Sequence, residues 1–562
     1  SLYDLVADEE GRLLPVLEHL RRRAREEHGM VVVTYSLAAG LDWDEPRVDD
    51  ARDRDAISRL LRTHGLLDVE PDENEVVRVV RGIAGLAQFP AGAATWADGR
   101  PMRFVFVLEF AEHLTPSGEG GGRTDQEIRA VELAHVLGQR HALRASGNLI
   151  VFHGREGLVD DLVTGVLHPV RLELPAEDET RHFVRSALRL YDGARLADGV
   201  AEGDVARLAA NMPNRSVEGV IRTAHYAGAA VSVEVLLAQK GRDVVELSEG
   251  TLSPLDTRRV ADLKLVGRNV EVPYRLLLSF GEALLRGDAH MPANVVLVGP
   301  PGTGKTDLCL VAALEARASA YQVHSPKGQY VGQTERRVRA LFQALREWTP
   351  NVAFIDEITE AFPLERSDVD GDSGASRAIT AEFLTALSDE GRRGRSLLVA
   401  TTNCPWRMGE AMRSRFTMVP VLAPLREDYP TIVAAVVRRI AGVELDPRAL
   451  VEASDLFYRK GASAREVRAE LDTALFLQGR LDADAVLGAA RDLCQTAGRA
   501  SVEYADLWAV AACRSKRFLP WYGDVAGYPF PPHLDGLVDE DGEVRRDVLA
   551  ERLEVLRPQA NL

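Results

Sequence analysis

Eight consecutive residues, Gly299, Pro300, Pro301, Gly302, Thr303, Gly304, Lys305 and Thr306, fit the pattern GxxxxGK[ST] and follow directly on the apolar run NVVLV. Glycines at this spacing let backbone N–H groups curl round an anionic phosphate at the start of a helix. Lys305 is placed to reach the β- and γ-phosphates of a nucleotide, and the Thr306 hydroxyl to bind Mg²⁺. About fifty residues on, the run VAFI ends in Asp356 and Glu357. A buried strand that ends in two carboxylates is costly unless a charge partner offsets them. Beside a phosphate site, Asp356 is expected to hold Mg²⁺ through water and Glu357 to polarise an attacking water. The next apolar run, LLVATTN, delivers Asn403 where its amide can orient that water. Arg413, Arg415 and Arg465 follow, as candidates among many surface arginines for a guanidinium that stabilises the transition state.

Short apolar runs alternating with helical patterns predict parallel α/β structure in two stretches. In the second, strands are expected at 294–298, 352–355, 397–401 and 419–422, with helices at 429–440 and 463–478. The first, roughly the opening 250 residues, has strand candidates at 30–36, 104–110, 148–153 and 170–174, then turns helical. The expected order is an α/β module over 1–250, an active large subdomain over 251–425, a helical lid over 426–518, and a Pro- and aromatic-rich tail with a short helix over 519–562. The segment 250–267 reads as a linker. The tail is equally compatible with docking on a partner and with packing on its own lid.

The chain of 562 residues carries a net charge of −17, with 46% hydrophobic and 27% charged residues. That is ordinary globular composition, and it excludes disordered, collagenous and fibrous classes. Four cysteines without a CxxC pair exclude a disulfide scaffold and a Cys-rich zinc site, and suit a reducing cytoplasm. No apolar run approaches the roughly 18 residues needed to span a membrane. The acidic balance counts against non-specific nucleic-acid binding, although the basic clusters 21–25 and 392–395 keep that class open.

Taken together, GPPGTGKT, YVGQTERRVRALF, VAFIDEI, LLVATTN, RSRF and GASARE resemble, in order, the motifs of AAA+ ATPases, specifically the AAA clade of ring-forming remodelling enzymes. The resemblance runs from about Val266 to Gln478. It implies a P-loop AAA+ fold of parallel sheet plus helical lid, ATP and Mg²⁺ as ligands, and Val266 and Gly267 among the nucleotide-contacting residues. By the same resemblance Asn403 is the sensor-1 residue, Arg465 the sensor-2 residue, and Arg413 and Arg415 the arginine-finger candidates that act on a neighbouring subunit. The clade usually reads RPGRF; RSRF is one residue shorter and lacks the Pro-Gly turn, and Arg415, next to Phe416, is the closer match. A hexamer is implied, because the site is completed at a subunit interface. Tyr330, Val331 and Gly332 resemble the aromatic–hydrophobic–Gly pore loop that grips a threaded polypeptide, and 367–376 a second pore loop.

In the first stretch MVVVTYS is followed by LAAGLDWDEP, with one Gly and no Lys, so no phosphate cradle of this type can form there. Glu109 and Phe110 stand where the second stretch has Asp356 and Glu357. This resembles a degenerate AAA-like module ahead of an active one, as in the AAA ATPases named after a hypothetical chloroplast reading frame. The expected function is ATP-driven remodelling, disassembly or threading of a protein partner by a cytoplasmic hexameric ring. An ATP-dependent nucleic-acid factor and a nucleotide-gated assembly switch are the alternatives.

Overall fold

The computed structural model describes residues 2–43, 48, 50–67, 75–89, 94–117, 123–154, 159–170, 172–255, 265–315, 319–325, 333–362, 373–494, 499–523, 527–558 and 560. The chain divides into two compact units, Ser1–Leu237 and Ala238–Leu562, with the boundary inside the helix Val233–Leu247.

In the first unit, β1 (Leu5–Ala7) and β2 (Leu13–Pro15) pair antiparallel ahead of the helix Val16–His28. β3 (Met30–Ser36), β4 (Gly40–Asp42), β5 (Arg103–Glu109) and β6 (Leu149–His153) form a sheet in the order β4-β3-β5-β6, parallel except for β4. Alternate residues of β3 and β5 (Val31, Val33, Tyr35, Phe104, Phe106, Leu108) enter one core with Ile57, Leu61 and Ile83, which come from the helices Ala51–Thr63 and Glu75–Ala87. Val32 and Val107 face the other side. Helices Glu177–Leu190, Glu202–Ala209 and Asn214–Ala227 follow, together with the short parallel pair β7 (Arg195–Leu196) and β8 (Ala230–Val231). The strand expected over 170–174 does not form among its described residues, and Val170 and Leu172 are exposed. An apolar run becomes a strand only when its backbone groups find a ladder partner, and the sheet ends at β6.

The second unit holds β9 (Leu252–Pro254), β10 (Asn294–Val298), β11 (Ser319–Val323), β12 (Asn351–Ile355), β13 (Ser396–Thr402) and β14 (Thr417–Pro420) in the order β14-β10-β13-β12-β11-β9. All pairings are parallel except β9 with β11. β10, β12 and β13 are buried along their whole length, which is why they read as unbroken apolar runs. β9 lies inside the segment read as a linker, and its three residues are too few to give a pattern. The helices Tyr429–Ala441, Val451–Arg459, Ala464–Gln478 and Ala483–Asp492 share a separate core built on Val433, Val437, Phe457, Val467, Leu471 and Val486.

The tail packs on its own unit. Trp521 is buried and groups with Tyr528 and Phe530, and the helix Arg546–Leu556 lies against the helix Arg499–Ala512. Arg546 donates to the carbonyls of Ala511 and Cys513. Among the described residues no helix is long and apolar enough to cross a membrane.

Candidate functional site

The C-terminal ends of β10, β12 and β13 converge, and in open parallel sheets ligands bind at such a place. From β10 the chain runs through the loop 299–304 into the helix Lys305–Glu315. Two loop glycines are fixed by close approach. A Cβ on Gly299 would collide with the Val421 carbonyl, and one on Gly302, at φ 73°, would collide with the Ser463 side chain. Ser463 caps the helix Ala464–Gln478 in a reciprocal pair with Glu466 (3.3 and 2.8 Å), so the lid helix begins against the loop.

The Lys305 ammonium is buried and donates to the carbonyls of Gly299 (2.9 Å) and Pro300 (2.6 Å) and to Asn403 Oδ1 (2.7 Å). Burial lowers its pKa to about 8, and the charges of Glu357 and Asp356 oppose that shift. The Asn403 amide bridges opposite charges. Its Oδ1 accepts from Lys305, its Nδ2 donates to Glu357 Oε1, and its backbone N–H donates to Glu357 Oε2 at 3.2 Å. Burial raises the Glu357 carboxyl above the usual glutamate value, against the Asn403 N–H and Lys305.

Asp356 Oδ1 accepts from the hydroxyls of Thr306 (3.2 Å) and Thr401 (2.8 Å), and Thr401 Oγ1 accepts the Glu357 N–H at 3.0 Å. Thr401 therefore sets both carboxylates, and the sequence reading passed over it; its signal was a hydroxyl at the polar end of an apolar strand. Glu357 has φ 48°, in the left-handed region. A non-glycine residue there is strained by roughly 1–3 kcal/mol, the kind of strain that concentrates at functional sites. The donor set around Thr306 and Asp356 is a hydroxyl and a carboxylate, hard oxygens of the kind Mg²⁺ prefers. Among the described residues no group of three His, Cys, Asp or Glu could hold a metal by itself.

A cleft of about 570 Å³ opens against the helix Lys305–Glu315, lined by Val311 of that helix and by Val266, Gly267, Tyr274, Asp428 and Thr431 among others. Arg268 closes one edge by bonding Asp428 through its N–H (2.9 Å) and Nε (3.0 Å). Buried Asn269 donates to the Leu422 carbonyl at 2.8 Å and tucks its Oδ1 against Gly267, where a Cβ would clash.

The three arginines lie apart. Arg465 is exposed in the first turn of the lid helix, where its charge acts with Arg439 and Arg468 on Asp307 of the helix Lys305–Glu315. Arg415 is held within the chain: Nε donates to Leu384 O (3.1 Å) and Ser388 Oγ (2.7 Å), and a terminal nitrogen to Ala411 O (2.7 Å). Arg413 is half-buried at the end of the helix Glu410–Arg413 and has no side-chain bond among the described residues. Tyr330, Val331 and Gly332, and residues 367–372 of the second loop segment, lie outside the described residues.

Most arginines of the basic clusters are paired or stacked within the chain. Arg21 pairs with Asp42 (2.6 Å), Arg22 with Asp8 (3.1 Å) and Arg23 with Glu27 (2.8 Å), while Arg25 lies over the Trp96 ring. Arg392 is buried against the Phe342 ring and donates to Asn294 Oδ1 at 3.1 Å.

Residues 295–422 match the model of the ATPase family associated with various cellular activities (AAA). The chain is similar to the ATPase family gene 2 protein of Schizosaccharomyces pombe, 40% identical over 124 residues, covering 22% of this chain and 15% of that protein. It is 35% identical over 152 residues to the ATPase-like fidgetin of the same yeast (25% and 23% covered), and 31% identical over 222 residues to spastin of Xenopus laevis (39% and 34% covered). The chain thus spans about a third or less of the length of these relatives. Among solved structures, the FIGL-1 AAA domain is 25% identical, with 48% of this chain and 95% of that one covered and a TM-score of 0.39. The strands that carry the phosphate loop and the two carboxylates, β10 to β14 from Val295 on, lie within the residues that match this family model.

Proposed function

We propose that the second unit is a Mg²⁺-dependent ATPase whose turnover drives remodelling, disassembly or threading of a protein partner by a homo-oligomeric, hexameric ring in the cytoplasm. The observation that carries the ATPase reading is the meeting of Lys305, Thr306, Asp356, Glu357 and Asn403 at one set of strand ends. The loop 299–304 and Lys305 bind the phosphates, and Val266 and Gly267 line the cleft that takes the base. Thr306 and Asp356 hold Mg²⁺, which neutralises charge on the phosphate oxygens. Glu357, held by Asn403 and Thr401, accepts a proton from the attacking water. Arg465 reports nucleotide to the lid. Arg413 and Arg415 are the candidates to reach a neighbouring subunit's ATP; Arg415 bonds its own chain through Nε and one terminal nitrogen, which leaves its other terminal nitrogen to do so. Tyr330, with Val331 and Gly332, grips the substrate.

The first unit is an AAA-like module without a nucleotide site, in the manner of the hypothetical-chloroplast-frame ATPases. What supports this is a shared turn: β5 and β12 each end in a left-handed non-glycine residue, Phe110 (φ 53°) and Glu357 (φ 48°), and each of these precedes a four-residue helix. A protein target is preferred to a nucleic acid because most arginines of the basic clusters are paired or stacked within the chain.

The test is Glu357→Gln, which is expected to bind ATP, turn it over about 10²–10⁴-fold more slowly and retain its partner. Lys305→Ala is expected to lose binding and partner together. Undiminished turnover in Glu357→Gln rejects the assignment, and nucleic acid in place of a retained protein rejects the protein target.

A further inference from the structure

Residues 421–423, just past β14, are a junction. Val421 donates to the Val298 carbonyl (2.8 Å), and its own carbonyl lies against Gly299 of the phosphate loop. The Leu422 carbonyl accepts from Asn269, which packs against Gly267 in the wall of the cleft. The Ala423 N–H donates to Asp506 Oδ1 at 2.9 Å. Asp506 is buried on the helix Arg499–Ala512, which packs against β14. Its second oxygen accepts from His533 Nε2 at 3.0 Å, and a carboxylate oxygen can only accept, so the ring carries its proton on that nitrogen. His533 comes from the tail, where Arg552 holds its carbonyl at 2.6 Å. Asp506 also lies near enough to the phosphate loop for its charge to act on Lys305.

We propose that Asp506 and His533 are positioning residues for nucleotide binding, through which the C-terminal tail holds the 421–423 junction under both the phosphate loop and the cleft. The inference rests on the reading of that site as an ATP site. The pair touches the supports of Gly299 and Gly267 but none of the groups at the ends of β12 and β13. Its loss therefore weakens binding of substrate and transition state alike, which raises KM and leaves kcat in place.

Steady-state ATPase kinetics and ATP binding on the full chain test this. Asp506→Ala and His533→Ala are expected to raise KM about tenfold, with kcat within about twofold, the scale of one lost buried hydrogen bond. Asp506→Asn keeps the acceptor for Ala423 but meets the imidazole with an N–H, which the ring can accept only by moving its proton to Nδ1, and is expected to raise KM less than Asp506→Ala does. An unmoved KM in His533→Ala, or a fall in kcat at constant KM, overturns the proposal, and His533→Ala decides the matter if Asp506→Ala does not fold. Wild-type protein that binds no ATP overturns the nucleotide site itself; wild-type binding with unmoved variants overturns the positioning role alone.

Discussion

The ends of β5 and β12 share a backbone and differ in chemistry. Both strands run into a left-handed residue and a four-residue helix. At β12 the pair is Asp356 and Glu357, met by Thr306, Thr401 and Asn403. At β5 it is Glu109 and Phe110: Glu109 is buried and accepts from the Tyr3 hydroxyl, and Phe110 stacks on the Tyr3 ring. The sheets explain the contrast. The order β6-β5-β3-β4 reproduces β13-β12-β11-β9, including the antiparallel edge, and no described strand of the first unit stands where β10 and β14 stand. β3 therefore occupies the place of β11, and no described strand of the first unit occupies that of β10, which leads into the phosphate loop. The helix starts differ likewise. Gly302 meets the start of the helix Ala464–Gln478, whereas the Asp4 carboxylate takes the N–H groups of Asn214 (3.1 Å) and Arg215 (2.7 Å) at the start of Asn214–Ala227. Side chains satisfy the donors at both starts, Ser463 with Glu466 at the one and Asp4 at the other.

The largest expected effect is Lys305→Ala, which should abolish ATP binding by the whole chain; residual tight binding would locate a second site in the first unit and break the contrast. Next is Thr401→Val, which keeps the shape of the side chain and removes the hydroxyl that sets both carboxylates. Turnover should fall about 10–10²-fold, with ATP binding weakened less than in Lys305→Ala; unchanged turnover would leave Thr401 a packing residue. The pH profile sharpens the same contrast. Because Lys305 without ligand titrates at about 8 and phosphate favours its charged form, binding near that pH should take up a proton, and affinity should fall as pH rises through it. Calorimetry in buffers of different ionisation enthalpy reads this directly. With Glu357 raised by burial, the acid limb of turnover should lie above the ordinary glutamate value. The smallest effect is Phe110→Gly, which relieves a left-handed backbone at the cost of the ring contacts with Tyr3 and His113. Stability should change by no more than about 1 kcal/mol and ATP turnover not at all, whereas a lost activity would give the first unit a role in the chemistry.

The sheet of the second unit was legible because β10, β12 and β13 are buried on both faces and read as apolar runs. β11, with the mixed sequence SAYQV, and the three-residue β9 carry no such pattern, and each was placed by its partners. Residues 170–174 erred the other way, with a strand-like pattern and no partner strand. At the site, the phosphate loop and carboxylates were legible from type and spacing. Thr401 and Asp506 were not, because each acts through a contact 45 or 83 residues away in the chain. The places of Arg392 and of the tail were left open because burial of a charge, or of a terminal segment, depends on what folds over it.

The central claim is that one chain holds one nucleotide site, at the ends of β10, β12 and β13. Equilibrium titration of ATP with Mg²⁺ against the full chain and its Lys305→Ala variant tests it most directly. The account predicts one ATP per chain and none in the variant. Two per chain, or binding that survives in Lys305→Ala, would contradict it.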